Sequence, residues 1–524
     1  MSPSIDQQRS HILRLARAGN PVRAWALFGE QKLDIVRDDP KVLTLEGRLQ
    51  KDLAERAQNG ERKRLYHAAS ESYLAAFALT ADSYPLINAA TLAFLSGDGA
   101  AATQRAQQTL EMIERDPEEG ETPYWRQATR AEALLLLGQS DAAQAALQDG
   151  IEALPLAWED HAATLGQFER IVAAQSGDPQ WLDAFRPACS VHFSGLMELD
   201  PNDPQLQRDI AKLVAELRPG FAFGALAAGA DIMLAEALVE SGAQLHLVLP
   251  FDAAHFRQVS VAPFGGDWEE RFDALMARAE TVEEWGGQGN GDAAIHPASI
   301  TAANCAAMGL CLRQAETLRS KAAAITVSAP GEAERAHIRD WQRTGRSVHT
   351  IKTKRVDTAQ TDIARTSSGQ ILAKPNLVGA ASDPTALISF SQLDSVELSQ
   401  IAQKFDLLRS QGKGKRYLHG SIRSAVPAIL DLARSGTNRG VKSGTKSEAT
   451  AGASFHVTSN QDDVASEVSE DLTSRMATAA SAGEVFADRN SALIAKALAP
   501  SLRIEEIGEM GSLYGPISLW SLRQ

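Results

Sequence analysis

The chain has 524 residues, a net charge of −14 and 44% hydrophobic residues, a length that predicts roughly three domains of about 150 residues each and a composition that excludes wholesale disorder. The negative charge argues against nucleic acid or an anionic membrane as general partners, and no stretch nears the roughly 18 consecutive apolar residues of a membrane span. The opening MSPSIDQQRSHILRLARAG lacks a signal-peptide core and cleavage site, so the cytoplasm is the expected compartment. Cys189, Cys305 and Cys311 make no disulfide framework. The last two fall in an Ala-rich helical stretch away from zinc-ligand spacing, so no metal site is expected.

From Ile5 to about Asp183 the pattern is helical, with apolar residues at spacings of three and four such as Ile12, Leu13 and Ala16, then Trp25 and Phe28. Gly19, Gly97 and Gly138 each stand at a predicted helix end, followed five residues on by Ala24, Ala102 and Ala143. The last two glycines are 41 residues apart and the first gap is close to twice that. A helix-ending glycine followed by a small residue at the next crossing predicts stacked helical hairpins. The missing hairpin falls on LTLEGRLQKDLAERA and ASESYLAAFALTAD. This region resembles tetratricopeptide repeats. SYPLINAATLAFLSGD and YWRQATRAEALLLLGQ further resemble the TRAF-binding helical domain of stress-activated kinase kinase kinases and its bacterial relatives. The resemblance implies a protein partner held by residues 1–185 and no chemistry. Tyr84, Pro85, Asn88, Tyr124 and Trp125 are the candidates there, although aromatic residues at hairpin crossings belong more often to the core.

After Cys189 the pattern alternates strand and helix. SVHFSG reads as a strand, PQLQRDIAKLVAEL as a helix, GFAFG as a strand into a glycine loop, a helix starts near Gly229, and Leu245 to Leu249 is a buried strand. SKAAAITVSAP and EAERAHIRDWQRTG add a strand and a helix before SVHTI. Such alternation predicts a parallel sheet with helices on both faces, whose ligands bind at strand carboxyl ends. Two glycine loops fall there, Phe193-Ser194-Gly195 and Gly224-Ala225-Leu226-Ala227-Ala228-Gly229-Ala230-Asp231. Their glycines let backbone N–H groups approach an anion at a helix N-terminus. Asp231 reads equally as an ordinary helix-start carboxylate and as an acceptor for a ribose or base.

Phe-Ser-Gly, then Gly-Ala-x-x-x-Gly-Ala-Asp, then VLPF together resemble the SLOG superfamily, which joins DNA-processing proteins, lysine-decarboxylase-like phosphoribohydrolases and nucleotide sensors. LPFDAAHFRQVSVAPFGGDWEERFDAL resembles the sensor branch. Over residues 186–353 the resemblance implies a Rossmann-like α/β domain. Its implied ligand is a nucleotide or ADP-ribose-like molecule at Ser194, Gly195, Gly224, Ala225, Gly229, Ala230, Asp231 and Gly331, with no other cofactor. The superfamily's hydrolases carry Pro-Gly-Gly-x-Gly-Thr-x-x-Glu, whereas Pro330-Gly331-Glu332-Ala333-Glu334 keeps only Pro and one Gly. Glu334 reads as a helix-start carboxylate, which favours binding over hydrolysis.

Residues 354–382 are polar and read as a linker. From 383 to 524, ALISFSQLDSVELSQ and GEVFADRN…LRIEEIGEMGSLYGPISLWSLR resemble class III nucleotide cyclases, which implies an α+β, ferredoxin-like domain that self-associates. Phe390-Ser391 matches the end of the family's Phe-x-Asp-x-x-Gly-Phe-[ST] motif and places the first metal aspartate at Ala386. Asp383 precedes that position, Asp394 falls in the next helix, and no second Gly-Asp pair follows. Arg475 stands where the family has its transition-state arginine, with Asp471 in place of the family's Asn and Tyr514 in place of its Lys. Two-metal phosphoryl chemistry needs carboxylates to hold its ions, so the resemblance implies a vestigial cyclase. Lys413, Lys415, Arg416, Arg434, Arg439, Lys442 and Lys446 read as a solvated basic loop. Multidomain, with all-α repeats, an α/β domain and an α+β domain, the chain reads as a non-catalytic sensor and scaffold in stress or antiviral signalling. An active enzyme and a purely structural adaptor stay open as alternatives.

Overall fold

The computed structural model describes residues 4–17, 21–116, 122–285, 297–356, 384–390, 395–412, 415–437, 453–458, 467–480, 485–512 and 515–523. These form two compact units, Met1–Pro187 with Thr317–Arg319, and Ala188–Glu316 with Ser320–Gln524.

The first unit is helical: α1 (Ile5–Arg17), α2 (Pro21–Glu30), α3 (Pro40–Ala54), α4 (Asn59–Thr80), α5 (Ser83–Ser96), α6 (Gly99–Arg115), α7 (Pro123–Leu136), α8 (Ser140–Ala153) and α9 (Trp158–Ala174). Side-chain caps set the starts. Asp39 accepts from the N–H groups of Lys41 and Val42 ahead of α3, Asp98 from Ala101 ahead of α6, and Thr122 from Trp125 ahead of α7. Pro40 and Pro123 fit the first helical turn, where no N–H is needed. Gly97 and Gly138 close α5 and α7 at φ of 103° and 74°, left-handed angles that glycine adopts without strain. Ala24, Ala102 and Ala143 are buried as small crossing residues. Neighbouring helices pack in sequence, α3 on α4, α5 on α6, α7 on α8, around Phe28, Tyr73, Tyr124 and Phe168. The N-terminus is therefore a set of tetratricopeptide-like helical repeats. Gly19 lies outside the described residues.

The second unit opens with β1 (Cys189–Ser194), α10 (Pro204–Leu217), β2 (Pro219–Gly224), α11 (Ala230–Glu240), β3 (Gln244–Leu249), α12 (Ala253–Ser260), α13 (Trp268–Arg278), β4 (Thr281–Glu284), α14 (Pro297–Thr317), β5 (Ala322–Ser328), α15 (Ala336–Arg343) and β6 (Ser347–Lys352). The strands run in the order β4-β3-β2-β1-β5-β6, and every pairing is parallel. Val191, Phe193, Ala222, Leu245, Leu247 and Ile325 bury the sheet among Leu206, Ile210, Leu234 and Leu238 from the helices. These strand residues share one face of the sheet, while the opposite face of β1 buries Ser190, His192 and Ser194.

A second sheet follows: β7 (Thr385–Phe390), α16 (Ser395–Phe405), β8 (Leu408–Gly412), β9 (Lys415–Ser421), α17 (Ile422–Thr437), β10 (Ala453–Thr458), α18 (Glu467–Ala479), β11 (Val485–Asp488), α19 (Arg489–Leu498), β12 (Arg503–Ser512) and β13 (Gly515–Arg523). Its order is β12-β13-β11-β10-β7-β9-β8. The stretch from β7 to β10 is strand, helix, two strands, helix, strand, with β7 and β9 central and antiparallel neighbours throughout. That is the split β-α-β arrangement. β11 adds parallel to β10, and the β12–β13 hairpin completes the edge.

Within this unit the two sheets are joined by ion pairs from α17 and α19 to β4, α14 and α15. Arg489 binds both oxygens of Glu283 at 2.5 and 2.6 Å. Arg423 reaches the buried Asp340 at 2.7 Å. Lys496 is fully buried and is satisfied by Glu316 and by the carbonyls of Pro500 and Leu502, at 2.6, 2.9 and 2.8 Å. A buried ammonium needs that many acceptors to offset its lost hydration.

Candidate ligand site at the carboxyl ends of the parallel sheet

The chain leaves β1 toward β2 on one side and returns to β5 on the other, so the strand order reverses between β1 and β5. In open α/β sheets the crevice at such a reversal, beyond the strand carboxyl ends, is where ligands bind. Two loops frame it. One begins at Gly195, directly after Ser194 at the end of β1, and the other runs from Ala329 to Arg335 after β5. Gly331 sits in the second loop at φ 76°, with open space where a Cβ would go.

Asp231, in the first turn of α11, is 8% exposed. Its Oδ1 accepts the N–H of Gly195 at 2.7 Å and its Oδ2 that of Ala227 at 3.3 Å. Burial pushes its pKa up to about 6, against the downward pull of Arg335 and the two amides. The carboxylate thus ties the loop after β2 to the loop after β1. Arg335 completes the tie by donating through Nη2 to the carbonyl of Gly195, so the Gly195 residue is held through both its N–H and its C=O.

The other amides of these loops are also engaged within the fold. The N–H of Ala230 bonds Leu196 O at 2.8 Å and that of Ala228 bonds Ser260 O at 2.9 Å. Gly195 and Ala230 were both expected at the ligand, and in the structure the N–H groups of both are taken by internal acceptors. Gly229 has a different role as well. It lies at φ 107°, and a Cβ on it would meet Leu196 O at 2.5 Å and Met197 Cα at 3.1 Å. The glycine lets α11 start directly against the loop after β1, which is a packing role. Gly224 likewise faces Phe193, whose carbonyl oxygen stands 2.6 Å from its ideal Cβ position. Ala225 is half-buried next to it.

Beneath the crevice lies a buried polar group that sequence reasoning missed. Ser194 Oγ is 3.2 Å from His337 Nε2. His337 meets His192 edge to face, with ring centroids 5.7 Å apart, and His192 stacks on Trp341. Neither ring nitrogen of His192 has a hydrogen-bond partner among the described residues. Burial pushes the pKa of His192 down to about 3 and that of His337 well below its ordinary value. Burial thus favours the neutral form of both rings. The two-residue alternation of β1 was the available signal, since it puts His192 on the same side as Ser194.

The sequence also missed the segment after β6. Arg355 pairs with Glu332 at 2.8 Å and with Glu198 at 3.5 Å, so part of the predicted linker is anchored at the crevice. Glu334 bonds Gln342 through Oε1 at 2.8 Å, ahead of α15 rather than in its first turn.

In the second sheet Ala386 is fully buried at the second position of β7, opposite Val457 on one side and Gly420 on the other. Arg475 is exposed on α18. Lys415 and Arg416 belong to strand β9 and Arg434 to α17, not to a loop, because the hairpin register and the helix extend through them. Ser391, Asp383, Asp394, Lys413, Arg439, Lys442, Lys446 and Tyr514 lie outside the described residues. Among the described residues no group of three His, Cys, Asp or Glu could hold a metal ion, and no helix is long and apolar enough to cross a membrane.

The family model described as Tetratricopeptide Repeats-Sensor matches residues 4–93, which lie within the helical repeats. Such repeats generally mediate protein–protein interaction. No curated protein matches the chain. Among solved structures, a point mutant of the O-GlcNAc transferase of Thermobaculum terrenum aligns at 11% identity over 63% of this chain, with a TM-score of 0.19. The alignment spans 47% of that protein's length, and a likeness this slight carries no argument about this chain.

Proposed function

We propose that the protein is a sensor and scaffold. In this reading the helical repeats hold a protein partner, and the parallel-sheet domain binds a nucleotide or ADP-ribose-like ligand at the crevice between β1 and β5. The C-terminal sheet is a cyclase-like domain without metal chemistry that associates with a second copy. The observation that carries the reading is the reversal of strand order at Ser194-Gly195, framed by a glycine loop and backed by Asp231, Arg335 and His337. Burying that many polar and titratable groups at one point costs stability, and perturbed groups of this kind concentrate at functional sites. The term "Sensor" in the matching family description agrees with it. For the C-terminal sheet, the split β-α-β order and the β12–β13 hairpin after α19 support the cyclase-like reading.

The test is native mass spectrometry of freshly purified full-length protein, followed by a nucleotide panel in thermal melts. A co-purified nucleotide, or one that raises the melting temperature, is the expected result. A panel that never shifts the wild-type melt overturns the sensor reading and promotes the structural adaptor.

A further inference from the structure

With the N–H groups of Gly195, Ala227, Ala228 and Ala230 engaged internally, an anion at this crevice needs other donors. The structure supplies two guanidinium groups. Arg335 reaches in from the end of the loop after β5 and uses Nη2 on Gly195 O. An arginine carries five N–H donors in a fixed fork, so one such bond leaves it able to bind more. Arg355 comes from the segment after β6, with Nη2 on Glu332 Oε1 at 2.8 Å and Nη1 on Glu198 Oε2 at 3.5 Å. Glu332 belongs to the loop after β5 and Glu198 to the loop after β1, so one arginine bridges both walls of the crevice.

The backbone follows the same path. The N–H of Thr353 bonds Ser328 O at 3.1 Å and that of Val356 bonds Glu198 O at 2.9 Å. Lys352 Nζ meets Ser328 Oγ at 2.7 Å. Residues 352–356 thus form a strap across the carboxyl ends of β5 and β1. Glu198 itself sits at φ 62°, a left-handed conformation that a non-glycine residue keeps only when its surroundings hold it there. Arg355 and the amide of Val356 are among the contacts that hold it.

We propose that Arg335 and Arg355 are the phosphate-binding groups of this site, and that Glu198 and Glu332 occupy Arg355 in the place of a ligand diphosphate. The proposal rests on the reading of the crevice as a ligand site and adds its chemistry: a ligand with adjacent phosphates, for which two forked cations are the matched receptor. Arrival of the diphosphate transfers Arg355 from carboxylate to phosphate and releases the strap.

The experiment is calorimetric titration of the full chain with inorganic pyrophosphate, ADP and ADP-ribose, in wild type, Arg355→Ala, Arg355→Lys, Glu332→Gln and a Glu198→Gln/Glu332→Gln double variant. Loss of a charge-assisted contact should weaken pyrophosphate on the order of ten-fold or more in Arg355→Ala, with Arg355→Lys intermediate. Glu332→Gln and the double variant should bind more tightly than wild type, because the competing carboxylates are gone. Amide exchange at Thr353 and Val356 should speed up on adding pyrophosphate. A gain of affinity cannot come from misfolding, so the Gln variants decide even if Arg355→Ala is destabilised. Weaker or unchanged binding in Glu332→Gln overturns the exchange. ADP-ribose bound equally well by Arg355→Ala overturns the arginine assignment and leaves the ligand-site reading standing. No binding of any probe, in wild type or in the double variant, overturns both.

Discussion

Glu132 in the helical repeats and Asp231 in the parallel-sheet domain are both carboxyl groups withdrawn from water, and burial raises the pKa of each. Their partners differ in kind. Glu132 Oε1 accepts from Thr91 Oγ1 at 2.5 Å and Gln167 Nε2 at 3.1 Å, so side chains of α5, α7 and α9 meet at one acceptor. Asp231 accepts only backbone N–H groups of two loops. A junction made of side chains can drift with its donors. A junction made of backbone depends on the acceptor alone, and on the glycines that let the backbone come so close. The repeats are therefore tolerant where the crevice is not.

That contrast predicts where substitution is most damaging. Gly229→Val should be the worst change. It puts a β-branched residue at φ 107° and a side chain against Leu196 O, a combination of backbone strain and overpacking that should cost at least about 3 kcal/mol. The unliganded melting temperature should fall steeply in a thermal scan. A near-normal melt would return Gly229 to a ligand-contact role and break the comparison.

Asp231→Ala comes next. It strands two backbone N–H groups in a buried place, at roughly 1–3 kcal/mol each, read in urea unfolding. Asp231→Asn tests the charge separately. The folded pKa of Asp231, about 6, lies above its ordinary 3.8. Protonation therefore favours the fold, and this contribution is full below pH 3.8 and is lost as pH rises through about 6. His192 and His337 act with the opposite sign: their folded pKa values lie below the ordinary 6.5, so they cost stability as pH falls below it. The observable is thus the difference between wild type and Asp231→Asn. Relative to the variant, wild type should lose stability between pH 4 and 6, and a flat difference would remove the raised pKa.

Glu132→Ala should cost less, about 1–3 kcal/mol. Thr91 and Gln167 lose their shared acceptor but, being side chains, can turn to other partners. Glu132→Gln keeps an acceptor and should be close to neutral in the same melts. A Glu132→Ala loss as large as that of Asp231→Ala would erase the distinction between the two junctions.

Strands β1, β2, β3 and β5 were legible as short apolar or β-branched runs, with GFAFG and VLPF marked by Gly or Pro, whereas the polar edge strand β4 (TVEE) gave no such signal. The repeats were legible from Gly97 and Gly138 with Ala102 and Ala143. The crevice was legible only by position. Ser194, Gly195 and Gly331 were found as strand-end residues, but what each meets depends on distant parts of the chain: Leu196 against Gly229, Arg335 against Gly195. Arg355 was hidden by composition, since KRVDTAQTD is as polar as any linker and only its contacts with Glu198 and Glu332 distinguish its first residues. Ala386 was read from a motif end, and a motif register gives no sign that its position is paired on both sides in the middle of a sheet.

The C-terminal sheet extends the comparison to a place where a carboxylate is missing. Glu132 and Asp231 show that this chain keeps buried carboxyl groups where each has two donors. Position 386 has an alanine, fully buried between β10 and β9. An Mg²⁺ or Mn²⁺ ion held for phosphoryl transfer needs carboxylate oxygens that reach the substrate phosphates, and an alanine at this position supplies none. The smallest expected effect follows. Arg475→Ala, at an exposed helix position, should change stability by no more than about 1 kcal/mol, the range of an exposed polar contact. It should also leave cyclic nucleotide production from ATP or GTP where the wild type has it, at background with either metal, measured by chromatography of long incubations. Turnover in the wild type that disappears in Arg475→Ala would show that phosphoryl transfer survives in this sheet with its metal held elsewhere, and would return the enzyme reading to first place.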